Sequence, residues 1–218
     1  MFFFKLLLLA SLLIVNVSFA GSPVIKVDFD VSGRTSNEVS EANYIPWVVS
    51  GVTSKDTTIS GVKIKVEKGS VGTVIKTNWY KGIVQAPYYA KLVGDGILVE
   101  NGNTGGELSL SFSGLSSGTH SLLTYLNNVD APTAYTYSKI DVYVNGVKTL
   151  SNLVPSNRAQ TKAEATTAYV TFNVSAGATA TIRFVPSSSA TFKNVTINGF
   201  ELNVENSLKQ AQNPSPLD

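Results

Sequence analysis

Six aromatic residues, Tyr44, Trp47, Trp79, Tyr80, Tyr88 and Tyr89, fall in the first part of the chain, mostly in stretches that also carry prolines and glycines. The flat C–H face of a sugar ring stacks on phenol and indole rings, while amides, carboxylates or guanidinium groups nearby bond its hydroxyls. Tyr44, Trp79, Tyr80, Tyr88 and Tyr89 are therefore candidate stacking residues, with Asn127 as a candidate polar partner. Trp47, between Pro46 and Val48-Val49, reads as core. The other rings can also serve as ordinary core and edge packing. Neighbouring residues of a strand point to opposite faces, so at most one ring of Trp79-Tyr80 and one of Tyr88-Tyr89 is expected to line a given site.

Catalytic machinery is sparse. His120 is the one histidine of the chain, and in Gly118-Thr-His-Ser-Leu-Leu-Thr-Tyr-Leu126 it reads as a strand histidine held in a hydrogen-bond network. No Gly-x-Ser-x-Gly elbow marks a nucleophilic serine. Carboxylates for glycosidic cleavage exist in Asp28, Asp30, Glu38, Glu41 and Asp95, but the sequence sets no distance between them. No catalytic residue is assigned. The chain has no cysteine, which excludes thiol nucleophiles and thiolate metal sites, and a lone imidazole excludes zinc sites built on several. No cofactor is expected, with one opening: calcium, an oxygen-ligated ion, for which Asp28 and Asp30 are the candidates, joined by Glu38 or Glu41. Without a calcium-loop motif, the two aspartates read as solvated strand carboxylates.

The elements that must position these groups are strands. Val27, Phe29 and Val31 alternate with Asp28 and Asp30, and Val62, Ile64 and Val66 alternate with Lys63, Lys65 and Glu67. The same period of two recurs in Leu108, Leu110 and Phe112 and in Ile140, Val142 and Val144, and both early segments read as half-buried. Further strands are expected over 169–174, 179–185 and 195–204. Asn145-Gly146 joins two such runs, and both residues tolerate the positive φ of a type I′ hairpin. No stretch keeps helical spacing. Strands at this spacing fit an all-β fold, a two-sheet antiparallel β-sandwich with jelly-roll connectivity.

Composition narrows the setting. Only 15% of the 218 residues are charged and the formal net charge is +2, which leaves no footprint for a polyanion, so nucleic acid is not an expected partner. Lys5 precedes an apolar run over 6–17, and Ser18 and Ala20 occupy the minus-three and minus-one positions of a signal-peptidase site. Residues 1–20 are therefore expected to be a signal peptide, the protein secreted and extracellular, and no membrane contact is expected after cleavage. The expected sandwich domain covers 21–205. Residues 206–218, polar and proline-containing, read as a linker or tail, leading to a catalytic domain in cis if the chain is a fragment. Asn173-Val-Ser175 and Asn194-Val-Thr196 are glycosylation acceptors in a eukaryotic source.

Val27-Asp-Phe, Gly33-Arg-Thr, Glu38-Val and Tyr44-Ile-Pro-Trp47 open a series that continues with Leu92-Val-Gly-Asp-Gly96 and Gly118-Thr-His-Ser-Leu-Leu-Thr-Tyr-Leu-Asn127. It ends with Ile140-Asp-Val-Tyr-Val-Asn-Gly146 and Ile197-Asn-Gly-Phe-Glu201. The series resembles the N-terminal galactose-binding-like or malectin-like sandwich of secreted polysaccharide-degrading enzymes, including pectin and rhamnogalacturonan lyase-like proteins, over about 24–204. The resemblance implies the jelly-roll fold and a catalytic domain beyond the tail, and it transfers no catalytic residue. With export, the sandwich pattern and the clustered rings, it leads to an expected function. That function is a non-catalytic carbohydrate-binding accessory module, whose partner is a polysaccharide or oligosaccharide of plant or algal walls and which targets an attached degrading enzyme to it. A structural sandwich that binds no sugar, and a small secreted hydrolase or lyase, are the alternatives.

Overall fold

Apolar residues at every second position give a strand one face for the core and one for water. Segment 62–68 follows that rule: Val62, Ile64 and Val66 are buried while Lys63 and Glu67 are exposed. The computed structural model describes residues 22–86, 88–100, 105–129, 138–187 and 193–205. The expected leader (1–20) and tail (206–218) lie outside the described residues. In chain order the first elements are β1 (Ile25–Asp28), α1 (Ser36–Val39), β2 (Ile45–Pro46), β3 (Ser54–Ile59), β4 (Val62–Lys68), β5 (Lys76–Trp79) and α2 (Gly82–Gln85). A single 3-10 turn, Lys91–Val93, leads into β6 (Asp95–Glu100), β7 (Leu108–Ser113), β8 (Gly118–Asn128), β9 (Ile140–Val144) and β10 (Val147–Leu153). The last are β11 (Ser156–Asn157), β12 (Thr166–Val174), β13 (Ala180–Pro186), β14 (Asn194–Ile197) and β15 (Gly199–Leu202).

Two six-stranded, mainly antiparallel sheets form the sandwich. One runs β11-β8-β15-β1-β2 with β12 also paired to β8, and the other runs β10-β9-β13-β7-β4-β3. Strands far apart in sequence pair, β1 with β15, β4 with β7 and β7 with β13, as jelly-roll connectivity requires. The hairpin expected at Asn145-Gly146 is present, with φ of 48° and 85° at the two residues and Val144 paired to Val147. Asn145 also accepts the N–H of Thr181 at 2.8 Å, which ties the turn to β13.

Between the sheets lies one large core. Ile64, Leu110, Phe112, Ile182, Phe184 and Val142 from one sheet meet Ile25, Val27, Leu122, Leu126, Phe172 and Phe200 from the other. Trp47 joins this core against Phe29, ring centroids 5.6 Å apart, as its sequence setting implies. With no cysteine in the chain, this buried apolar surface is the main stabilising term.

Three features depart from the expected pattern. A small third sheet, β14-β6-β5, adds to the two layers. The expected strand over 195–204 is split at Asn198, where the chain passes from the third sheet into the first; the Asn198 side chain bonds the carbonyls of Asp95 and Asn127 at 2.6 and 3.1 Å and accepts the N–H of Asn127 at 2.7 Å. Finally, β1 is not half-buried: Ile25 and Val27 face the core and Asp28 on the other face is buried as well, and β8 is buried at every residue from Leu122 to Asn128. Their outer faces are covered by the segments 31–46 and 90–95, and Tyr44, Leu92, Val93, Leu123 and Tyr125 form a second apolar cluster there.

Candidate functional site

Segment 31–42, between β1 and β2, builds one wall of an open cleft. Thr35 donates both its N–H and its hydroxyl to Glu38, each at 3.1 Å, which starts the short helix α1. Val39 turns inward onto Val31 and Ile83, with Trp79 and Tyr89 packed against them. A four-residue helix supplies little stability of its own, so packing and side-chain ties must hold the wall. Three buried carboxylates supply ties. Asp28 accepts the N–H of Glu41 at 2.6 Å, Asp30 the hydroxyl of Ser40 at 2.5 Å, and Asp95 the N–H of Val31 at 2.7 Å.

The opposite wall is segment 88–91, backed by the loop at Thr161. Tyr89 donates its N–H to Ala86 at 2.9 Å, and Ala90 donates to Gln160 at 2.8 Å, which joins turn to loop. Lys91 Nζ crosses to the carbonyl of Asn37 at 2.5 Å. Glu41 crosses in the other direction: it accepts the N–H of Leu92 at 3.3 Å and pairs with Lys162 at 3.3 Å. The open cleft between the walls, about 740 Å3, is lined by Tyr88 and Tyr89 and by Ser36, Asn37, Glu41, Lys91 and Thr161.

The structure separates the sequence-predicted aromatics. Tyr88 is the exposed one, 77% accessible, and stands edge-on to Tyr89 with ring centroids 4.9 Å apart. Both line the cleft, contrary to the expectation of one per pair, because they sit in a turn rather than a strand. Trp79 and Tyr80 do not line it. Arg34 lies over the Trp79 ring at 4.1 Å and Arg158 over the Tyr80 ring at 4.7 Å, so one face of each is already covered by a guanidinium group.

Tyr44 and Asn127 are corrected more sharply, since both are buried and their polar atoms are used within the fold. Tyr44 donates its hydroxyl to Glu201, which also accepts from Tyr125 at 2.9 Å and pairs with Lys26 at 3.0 Å. Burial and the neighbouring carboxylate push the Tyr44 hydroxyl far up, and the same causes raise Tyr125. Burial would raise Glu201 too, but the donors Tyr44, Lys26 and Tyr125 hold it below its usual range. Asn127 donates to the carbonyl of Val93 at 2.7 Å and accepts from Ser156 and Ala159 at 2.8 and 3.0 Å, which pins the 3-10 turn and segment 156–159 to the end of β8. His120 is buried in a network, as expected, between Asn203 Oδ1 at 2.8 Å and the carbonyl of Ser116 at 2.9 Å.

The carboxylates also depart from their sequence reading. Asp28 and Asp30 are 0% and 3% exposed, not solvated, because the wall folds over the outer face of β1. Asp95 joins them from β6, fully buried. Desolvation, with the neighbouring aspartates adding to it, pushes Asp28 up to about 8 and Asp95 up to about 9, and burial raises Asp30. For calcium the trio fits poorly: among the described residues no group of three or more acidic or imidazole side chains is arranged to hold a metal ion.

Sequence reasoning did not single out Ser36, Asn37, Lys91 or Thr161. They carry no motif, and only the meeting of three distant loops makes them neighbours.

No family model and no curated protein matches the chain. Among solved structures it is similar to a family 35 carbohydrate binding module from an environmental isolate, at 19% identity over 70% of this chain and 93% of that one, TM-score 0.39. It is similar to a family 35 module from Clostridium thermocellum at 15% identity over 71% of this chain and 100% of that one, TM-score 0.37. A chain of the complex of plant peptide RALF23 with FER and LLG2 is 18% identical over 86% of this chain and 41% of its own length, TM-score 0.48.

Proposed function

We propose that this chain is a secreted, non-catalytic carbohydrate-binding module that takes a saccharide between the walls 36–42 and 88–91 and holds an attached degrading enzyme at plant or algal wall glycan. The observation that carries the reading is Tyr88. Its ring stands 77% exposed and edge-on to Tyr89, at a cleft whose other groups are hydroxyls, an amide, one carboxylate and one ammonium. That is the mixture a sugar needs, an apolar surface for its C–H face and convergent donors and acceptors for its hydroxyls.

A shallow site of this kind binds at about 10 to 100 μM, roughly −5.5 to −7 kcal/mol. Tethering makes such affinity useful. A flexible linker raises the effective concentration toward about the millimolar range once the enzyme is on an insoluble glycan.

Affinity-gel electrophoresis on pectins, xylans and galactans tests the reading. The wild-type chain is expected to be retarded by at least one glycan, and Tyr88→Ala to migrate as in a plain gel. Unchanged wild-type mobility on every glycan would count against sugar binding. It would favour the second reading, a purely structural sandwich, which draws on the guanidinium-covered rings of Trp79 and Tyr80 and on buried Tyr44.

A further inference from the structure

We propose that Asp28, Asp30 and Asp95 form a proton-held latch beneath the cleft: the folded chain keeps protons on this trio, and removing them loosens the wall 31–41. The latch stands on the geometry of the trio alone; its effect on sugar binding rests on the function proposed above.

Each of the three carboxylates uses one oxygen on the wall. Oδ2 of Asp28, Asp30 and Asp95 takes Glu41, Ser40 and Val31 respectively, and the Oδ1 atom of each is buried with no hydrogen-bond partner. Three ionised carboxylates here would repel one another while buried and without a direct ion-pair partner, a costly arrangement. The charged groups that face them relieve it only in part: Lys162 favours the ionised form of Asp28 and Lys91 that of Asp30, and burial outweighs both. Asp28 feels Asp30, Glu41 and Lys162, Asp30 feels Lys91, and Asp95 feels Asp28 and Asp30. Lys162 pairs with Glu41, and Lys91 donates to the Asn37 carbonyl. No ion pair reaches any of the trio among the described residues. A proton on Oδ1 neutralises a carboxyl and turns an orphan acceptor into a donor, while Oδ2 goes on holding the wall. The raised affinity of all three groups for protons agrees with this.

The sign follows from proton linkage. These acids ionise near 3.8 when unfolded and, for Asp28 and Asp95, only near 8 and 9 when folded, so the folded state binds more protons throughout that interval. Stability is therefore greatest near and below the unfolded value and declines as pH rises toward about 9.

Thermal and denaturant unfolding of the full chain from pH 5 to 9.5, with amide hydrogen exchange at Val31 and Glu41, tests the latch. The unfolding constant of the wild type is expected to rise about tenfold per pH unit for each proton still retained, more slowly above about pH 8, and to level off above about pH 9. Protection at Val31 and Glu41 is expected to fall over the same range. Asp95→Asn and Asp28→Asn keep an acceptor for the wall and cannot ionise, so each variant is expected to match the wild type at pH 5, to exceed it at pH 9 and to show a shallower slope. A wild-type profile that is flat, or variants with the wild-type slope, would overturn the proposal. So would a melting temperature raised by 1 mM calcium and lowered by EDTA, because a cation rather than a proton would then balance the trio. A pH-dependent wall with glycan retardation constant across pH would leave the latch standing and remove the cleft as the sugar site.

Discussion

The carboxylate of Asp28 accepts the backbone N–H of Glu41 at 2.6 Å, and through that bond a buried residue of β1 sets the position of a cleft residue thirteen places along the chain. Glu41 then reaches Leu92 and Lys162 on the opposite side, so one side chain at the centre of the site spans both walls. Removing its carboxylate should loosen the cleft without touching the core. Glu41→Ala is expected to cost about 1–2 kcal/mol, the range for a partly exposed charge-assisted bond and ion pair, and to weaken glycan retardation. Urea unfolding and the affinity gel read the two effects separately.

Tyr88 and Trp79 should divide stability from binding. Tyr88→Ala removes an exposed ring and is expected to change stability by less than about 0.5 kcal/mol. Trp79→Ala strips a ring packed on Val39 and Ile83 and stacked under Arg34, and is expected to cost about 1–3 kcal/mol. Equal losses for the two variants would contradict the assigned placement.

The Asn127 side chain makes three internal hydrogen bonds that hold Val93 and segment 156–159. Replacing it by alanine leaves a buried carbonyl and an N–H unmet, each worth about 1–3 kcal/mol. Asn127→Ala is expected to lower the melting temperature far more than its size change implies. A variant within a degree or two of wild type would show that these bonds are dispensable.

Glu201 is held below its usual range by Tyr44, Lys26 and Tyr125, so its contribution is full above its unfolded value of 4.5 and disappears as pH falls through the lower folded value. Tyr44→Phe deletes one donor to this carboxylate and is expected to cost about 1.5–3 kcal/mol at pH 7. The difference from wild type should shrink as pH falls from 4.5 through the lower folded value of Glu201. Unfolding curves from pH 7 downward decide it: a gap that does not shrink means the loss came from packing.

Gly199 lies where β15 passes β1, and a Cβ there would stand 2.4 Å from the Val27 carbonyl and 2.5 Å from Leu92 Cδ1. The carbonyl belongs to backbone fixed by strand pairing, so it cannot yield as a flexible side chain would. Gly199→Ala is expected to destabilise by about 1–3 kcal/mol, measurable by denaturant unfolding.

Much of the sandwich was legible in the residues themselves. Alternation at Val62, Ile64 and Val66 and at Leu108, Leu110 and Phe112 reports which side chains face the core, because a period of two is local geometry. Asn145-Gly146 is equally local, since the positive φ that its turn demands is a property of those two residues. The lack of cysteine likewise places the burden of stability on burial.

What only the tertiary structure decided is which surfaces a second layer would cover. Asp28 and Asp30 alternate with apolar residues just as Lys63 and Lys65 do, yet the former are buried and the latter are not. The difference comes from segment 31–46 and Leu92 folding over β1, contacts between residues far apart in the chain that no period in the sequence encodes. The same covering layer buries Tyr44 and Asn127, leaves Tyr88 in water and gathers Ser36, Asn37, Lys91 and Thr161 into one cleft.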